Sequence, residues 1–446
     1  DTPYAGLLAV DPVGDETNAG RRRGQPALTA PHLLVSGRTG SGKSRSVLAP
    51  NIISWGARPV VALSSKGDLC ELTIRKRARR GPVFLLDLSG EVRESELRGV
   101  PVTRVRCDPC ALIQTDDDAL SMASLLIEIG GLAAGGSSGD SFWSTLAMRP
   151  LAALLRAGGD HIDADGHRVW GGGIQWVLDA CEDAGQDDDL DDERDPDKPN
   201  WITAIARNAS VGGRHGPSLS AARRLDPRQR DSIGINARVA LSAWAMQAVA
   251  GSPGQKAFSP DMLEEKGATL YIVSPMSGAA APAASAVLTQ IVNHWRKRVG
   301  LLDPILFVLD ELPNGSPLPR LANWIGEARG LGIRIVAAVQ ATSQFEPRWG
   351  AAGLKILREI FQAVLILPGA PEKDILETAA WAAGRAERVT GSTDAAGGAS
   401  LSHEAGDMIH AAELLPQAKG RGRLILGGRP GVLVDLPDIA ATDLLD

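Results

Sequence analysis

Short continuous apolar runs, each bounded by turn residues, recur along this chain and set its expected architecture. The first, Leu33-Leu34-Val35-Ser36, leads directly into a glycine-rich loop. A helical pattern from Arg45 to Ile53 follows, then a second run at Val60-Val61-Ala62-Leu63. A charged helix from Leu69 to Arg80 precedes a third run, Val83-Phe84-Leu85-Leu86. Apolar runs of this length, without polar alternation, fit strands buried on both faces. Their spacing by helix-length segments predicts right-handed βαβ units and a parallel sheet. The pattern changes after about residue 110: from Ala119 to Ala250 the periodicity is mostly helical, as in Phe142-Trp143…Leu146…Leu151…Leu154-Leu155. Strand signals resume at Leu270–Val273, Ile305–Leu309, Ile333–Val339 and Ala363–Leu367. Near the end, Arg423–Leu426 and Gly431–Val434 flank Gly427-Gly428 and predict a hairpin. The expected fold class is therefore α/β, a mostly parallel sheet split in sequence by an inserted all-α domain. Residues 1–115 and 261–446 would form the sheet domain, and residues 116–260 the insertion.

Composition changes this picture little. A chain of 446 residues is long enough for two or three domains, and its 44% hydrophobic and 22% charged residues are ordinary for a globular protein. The formal net charge of −6 gives a whole-chain field that does not attract nucleic acid, so any such contact must be local. Arg21–Arg23 lie in a polar, turn-rich start; candidate basic patches are Arg75–Arg80, Arg223–Arg230 and Lys419–Arg423, for each of which a solvated helix face or loop is the preferred reading. The acidic run Asp187–Glu193 has no apolar face to bury and reads as a solvated loop. The four cysteines are too few for a disulfide framework, which suits a reducing compartment. The single CxxC, Cys107 to Cys110, lacks a second ligand pair, so a turn is preferred over a zinc or redox site. No apolar run approaches the length that crosses a bilayer. The chain begins at Asp1 without methionine or signal peptide, which reads as a cut fragment and leaves room for membrane segments ahead of it.

The chemistry is concentrated in Gly37-Arg38-Thr39-Gly40-Ser41-Gly42-Lys43-Ser44, which fits GxxxxGK[ST] and sits between a strand and a helix. Its glycines let the backbone curl so that successive N–H groups point at phosphate oxygens. Lys43 would reach the β and γ phosphates of ATP, and the Ser44 hydroxyl would ligate Mg2+. Asp310-Glu311 ends another buried run, where Asp310 would hold the magnesium through water and Glu311 would polarise the attacking water. Gln340 ends the next strand and suits a γ-phosphate sensor, though it could also cap a helix. Arg329, just ahead of that strand, reads either as a surface arginine or as one donated to a neighbouring subunit's phosphate. The latter role is worth on the order of 10³ to 10⁵ in rate. Lys66-Gly67-Asp68 faces either the nucleotide, an interface, or merely a helix start.

Taken in order, several stretches resemble one family. They are Gly37–Ser44 with Pro50-Asn51, Lys66–Leu69, Phe84–Asp87, Phe142-Trp143, Leu309-Asp310-Glu311 and Gln340–Gln344. From Leu33 to about Val434 the chain is similar to the soluble part of the type IV secretion coupling proteins, the ring ATPases of bacterial conjugation. Two departures are Ser64, where family members often carry Asp, and Asp108-Pro109, where they often carry Asn-Pro. The resemblance implies a RecA-like P-loop domain with an inserted all-α domain, and it places an arginine finger at Arg329. It further implies a homo-hexamer, anchored by transmembrane helices at the cytoplasmic face of the bacterial membrane. Such a protein would recruit DNA (single-stranded), a relaxase or effector proteins, and pass them to secretion channel components. Two other readings are a related DNA-pumping translocase and a nucleotide-dependent module that docks protein cargo.

Overall fold

A computed structural model describes residues 2–11, 24–133, 141–162, 166–185, 195, 197–252, 254–275, 279–315, 318, 320–370, 372–393, 399–427 and 429–441. Arg21–Arg23 and Asp187–Glu193 lie outside these, as do the side chains of Phe142 and Trp143. In chain order the first strands are β1 (Leu7–Leu8), β2 (His32–Ser36), β3 (Val60–Ser64), β4 (Val83–Asp87) and β5 (Thr103–Arg106). A small hairpin, β6 (His161–Ile162) and β7 (Arg168–Val169), precedes β8 (Lys256–Ala257), β9 (Thr269–Val273), β10 (Ile305–Leu309), β11 (Ile333–Val339) and β12 (Ala363–Ile366). The last strands are β13 (Arg385–Thr393), β14 (Ala399–Asp407), β15 (Arg421–Leu426) and β16 (Val432–Asp435). Twelve of them form one sheet in the order β1-β16-β15-β12-β2-β11-β10-β3-β9-β4-β5-β8. All neighbours from β12 to β8 run parallel, whereas β15, β16 and β1 add an antiparallel edge. β13 and β14 pair separately.

The parallel strands are buried on both faces, as their unbroken apolar runs predict. Leu34, Leu63, Phe307, Leu309, Ala337 and Val339 point into one core layer. Leu33, Val35, Ala62, Leu306, Val308 and Val336 point into the other. The helix after the P-loop opens as a π-turn, Lys43–Leu48, and continues as α1 (Ala49–Ser54). With α2 (Asp68–Ala78) it covers the second layer through Val47, Ile52, Leu69 and Ile74. Between β5 and β8 the chain is mostly helical: α3 (Asp116–Ala133), α4 (Ser141–Gly158), α5 (Gly173–Glu182), α6 (Trp201–Ser210), α7 (Gly216–Arg223), α8 (Pro227–Leu241) and α9 (Gln247–Ala250). The return to the sheet comes at Lys256, inside the segment 116–260. Later helices are α10 (Ala281–Lys297), α11 (Leu312–Gly315), α12 (Leu321–Ala328), α13 (Glu346–Ile360) and α14 (Lys373–Ala382). No described helix is long and apolar enough to cross a membrane. Cys107 and Cys110 lie buried around a short turn, with burial pushing both thiols up.

Two of the candidate basic patches lose a member to the interior. Arg77 is fully buried, and its guanidinium donates to Gly56 O at 2.6 Å, Arg58 O at 2.7 Å, Gly267 O at 3.0 Å and Thr269 Oγ1 at 2.7 Å. Burial pulls its pKa down to about 10, so it stays charged at neutral pH. Its planar fork therefore holds together the α1–β3 and pre-β9 turns, where carbonyls would otherwise lack donors. Arg423 is likewise buried, paired with Asp11 and donating to Leu414 O at 3.1 Å. Neither is a free basic surface. Arg77→Ala would strand several buried carbonyls and is expected to cost about 3 kcal/mol or more. Denaturant unfolding checks this, and a loss under about 0.5 kcal/mol would show that solvent replaces the guanidinium.

Candidate nucleotide and metal site

Because β2, β11, β10 and β3 are parallel neighbours, their C-terminal ends share one edge, where ligands bind in open α/β sheets. Gly37 leaves β2 with its N–H on Val339 O at 3.1 Å. A Cβ at this position would stand 2.6 Å from Ser41 Oγ and 2.8 Å from Leu367 Cδ1, so only glycine fits. Gly42 takes φ +95° to start the helix, a conformation that disfavours other residues. Arg38, Thr39 and Gly40 form the exposed crest of the loop, while Lys43 is buried beneath it. The Lys43 ammonium donates to Gly37 O at 2.5 Å and to Arg38 O at 3.4 Å, and it stands 3.9 Å from Glu311 Oε1.

Asp310 and Glu311 follow β10 and are both nearly buried. Asp310 donates its N–H to Leu63 O at 2.9 Å, which fixes it against β3. Its carboxyl is pushed up to about 7, first by burial, then by Glu311 and Asp68, with Lys43 pulling the other way. Glu311 has φ +50°, a left-handed conformation uncommon outside glycine. Its carbonyl starts α11 by accepting from Asn314 N and Gly315 N, both at 2.9 Å. Gln340 Nε2 donates to Glu311 Oε1 at 3.1 Å, while Gln344 Oε1 accepts from Gln340 N at 2.9 Å. The sensor candidate thus touches the candidate base directly.

Asp68 is a residue that the sequence left as one of several readings. Gly67 is the N-cap of α2, and Asp68 Oδ1 accepts from Leu69 N at 2.8 Å, so the helix-start reading holds. Its carboxylate lies close enough to Ser44 and Asp310 for the serine to favour its charge and for that charge to raise Asp310, so it faces the P-loop as well. The only clue in sequence was an acidic residue just past a buried strand on this edge.

Whether the site suits a metal nucleotide can be judged from atoms left without partners. The buried side-chain atoms without a partner include three on this edge, Ser41 Oγ, Asp310 Oδ1 and Glu311 Oε2. Buried polar atoms normally find a partner, and these three belong to the P-loop and to the carboxylate pair that Lys43 acts on. Three carboxylates against one ammonium leave an anionic excess that a divalent cation would balance. The described residues contain no cage of three or more His, Cys, Asp or Glu. Mg2+ at a phosphate takes one or two protein oxygens and fills the rest with water and substrate.

Arg329 does not join this cluster. It is exposed at the end of α12, at the foot of β11, and its charge acts on buried His32 at the start of β2. Seven residues of β11 separate it from the P-loop edge, roughly 20 Å of strand. It cannot reach the nucleotide of its own chain.

The raised Asp310 gives a pH prediction. Folding lifts its pKa above the ordinary carboxylate value, so the folded state binds more protons and stability falls as pH rises from about 4 to about 7. Asp310→Asn is expected to unfold at a higher temperature than the parent at pH 8, with the gap narrowing toward pH 5. Thermal melts of both proteins across that range check this, and a gap independent of pH would refute it.

The family profile described as "Type IV secretory system Conjugative DNA transfer" matches residues 9–375. Over 340 residues the chain is 22% identical to the conjugal transfer protein TraG of Escherichia coli, covering 71% of this chain. It spans about half the length of that relative, 49%. Among solved structures, the plasmid coupling protein TrwB with a non-hydrolysable ATP analogue matches at TM-score 0.62 and 17% identity, covering 100% of this chain and 97% of that one. VirB4 of Thermoanaerobacter pseudethanolicus matches at TM-score 0.52 and 14% identity, over 99% and 98% of the two chains. These likenesses support the α/β fold. With most of its length matched, the chain belongs to the type IV secretory system conjugative DNA transfer family.

Proposed function

We propose that this chain is an ATP-hydrolysing coupling protein, with Lys43, Asp310, Glu311 and Gln340 as its hydrolytic cluster. The observation that carries the reading is the set of unpartnered buried oxygens, Ser41 Oγ of the P-loop with Asp310 Oδ1 and Glu311 Oε2, on the sheet edge where Lys43 meets Glu311. TrwB has been seen with a non-hydrolysable ATP analogue, and with ADP and Mg2+, which agrees with that chemistry. Bound Mg2+ would neutralise phosphate charge, and Ser44, Asp310 and Asp68 are the oxygens placed to hold it directly or through water.

The protein's own groups then divide the work. Lys43 exchanges its carbonyl partners for phosphate oxygens, and the loop N–H groups from Gly37 to Ser44 orient them. Glu311 Oε2, free of other bonds, accepts the proton of an attacking water. Gln340 holds Glu311 through Oε1, and a γ-phosphate competes for the same amide, so the base senses whether the site is filled. Arg329 would act in trans on a neighbour's phosphate, a role that its exposed place on the far edge leaves open. The inserted domain is read as residues 116–260, helical apart from the β6–β7 hairpin and the return to the sheet at β8. The working assembly is a homo-hexamer at the cytoplasmic face of the membrane, passing DNA with a relaxase, or effector proteins, to a secretion channel.

Three variants separate these roles. Lys43→Ala is expected to reduce ATP turnover by at least about a hundredfold. Glu311→Gln should bind ATP with near-parent affinity while hydrolysis falls by a similar factor. Arg329→Ala should keep nucleotide affinity but lose the rise in specific activity with protein concentration that the parent shows. Phosphate release and equilibrium nucleotide binding, measured with and without DNA, check all three. Parent-like turnover in Lys43→Ala would remove the P-loop from the reading, and activity independent of concentration in the parent would remove the trans role. A DNA motor should also lose DNA affinity steeply with salt, whereas a protein-docking module should not bind DNA.

A further inference from the structure

Glu372, between β12 and α14, is buried at 2% exposure on the same sheet edge as the P-loop. Its Oε1 accepts from Ser36 Oγ at 2.5 Å and from Thr342 N at 2.7 Å, and its Oε2 accepts from Thr342 Oγ1 at 2.5 Å. Ser36 is the residue before Gly37, and Thr342 is two residues past Gln340. One carboxylate therefore joins the strand that carries the P-loop to the loop that carries the sensor.

The proton directions are fixed. A carboxylate only accepts, so Thr342 gives it its single hydroxyl proton and accepts in turn from Arg358 Nε at 2.8 Å. Arg358, on α13, is held by Asp374 on α14 at 2.5 Å. Glu372 is also the N-cap of α14, where the helix dipole favours negative charge. Three donors converge on its two oxygens. A fastener needed only for stability could be apolar, whereas this one is directional and sets the height of one loop against the other.

We propose that Glu372 is a positioning residue for hydrolysis. Through Ser36 and Thr342 it keeps the Gln340 loop level with the P-loop, so that the Gln340 amide meets Glu311. It does not touch the nucleotide. The inference rests on ATP hydrolysis at the P-loop, and it adds a second layer of residues that ordinary motif reading passes over.

Glu372→Gln keeps the shape and removes the charge. It is expected to lower kcat about tenfold while KM for ATP and ADP affinity stay within about twofold. Thr342→Val should act in the same direction, and Thr342→Ser, which keeps the hydroxyl, should stay within about threefold of the parent. Combined with Gln340→Ala, Glu372→Gln should add little further loss, because both act through one contact. Undiminished kcat in Glu372→Gln and Thr342→Val, a parallel loss of nucleotide affinity, or full additivity with Gln340→Ala would each overturn the assignment. If Glu372→Gln does not fold, the Thr342 pair decides the matter. Absence of turnover in the parent would overturn the hydrolytic reading and this assignment together, whereas an active parent with indifferent variants overturns this assignment alone.

Discussion

The site depends on one register. β2 pairs with β11 so that Ser36 lies beside Val339, and β10 pairs with β3 so that Leu309 lies beside Leu63. Strand tips held level in this way bring Gly37, Gln340, Asp310 and the approach to Asp68 to one line. A one-residue slip would send Leu34 into the wrong core layer and carry Gln340 away from Glu311 at the same time. Core packing and site assembly are therefore the same constraint seen from two ends. The apolar strands make the register costly to change, and the polar tips inherit its precision.

At that edge the protein keeps groups in states they do not prefer. Asp310 is held near neutrality of charge by burial, Glu311 occupies a left-handed backbone conformation, and three buried oxygens have no partner. Each is a local cost of the kind that persists only when surrounding structure over-determines it. Leu63 O fixes Asp310, the first turn of α11 fixes Glu311 from below, and Gln340 fixes it from the side. Glu372 and Arg77 add rigid polar joints at the two opposite edges of the sheet. The strain at this edge lies where a charged ligand would relieve it.

Local chemistry was legible in the sequence and long-range chemistry was not. The P-loop, the Asp310-Glu311 pair and the apolar strands around them depend on neighbours in the chain, and they stand where periodicity put them. The hairpin of β15 and β16 was equally plain from its glycines. The insertion of β9 between β3 and β4 was not, because an apolar run carries no label for its partner. β13 and β14 were missed because their residues do not form apolar runs. Arg77 looked like one of five surface cations, since helical position shows which face a residue occupies but not which carbonyls approach it. Glu372 reaches Ser36 across 336 residues, and nothing near it in the chain announces that.

The separation of Arg329 from the P-loop also governs how activity should scale with assembly. Under the trans assignment, every copy carries a socket on one edge of its sheet and a plug on the other. An open row of copies always ends in one empty socket and one idle plug, so it completes one site fewer than it has members. Closure into a ring removes both loose ends at once. The last subunit to join thus completes two sites where each earlier one completed a single site. Output would rise in a step at closure, and a partner that opened the ring at one interface would silence one site, whereas loss of a whole subunit would silence two.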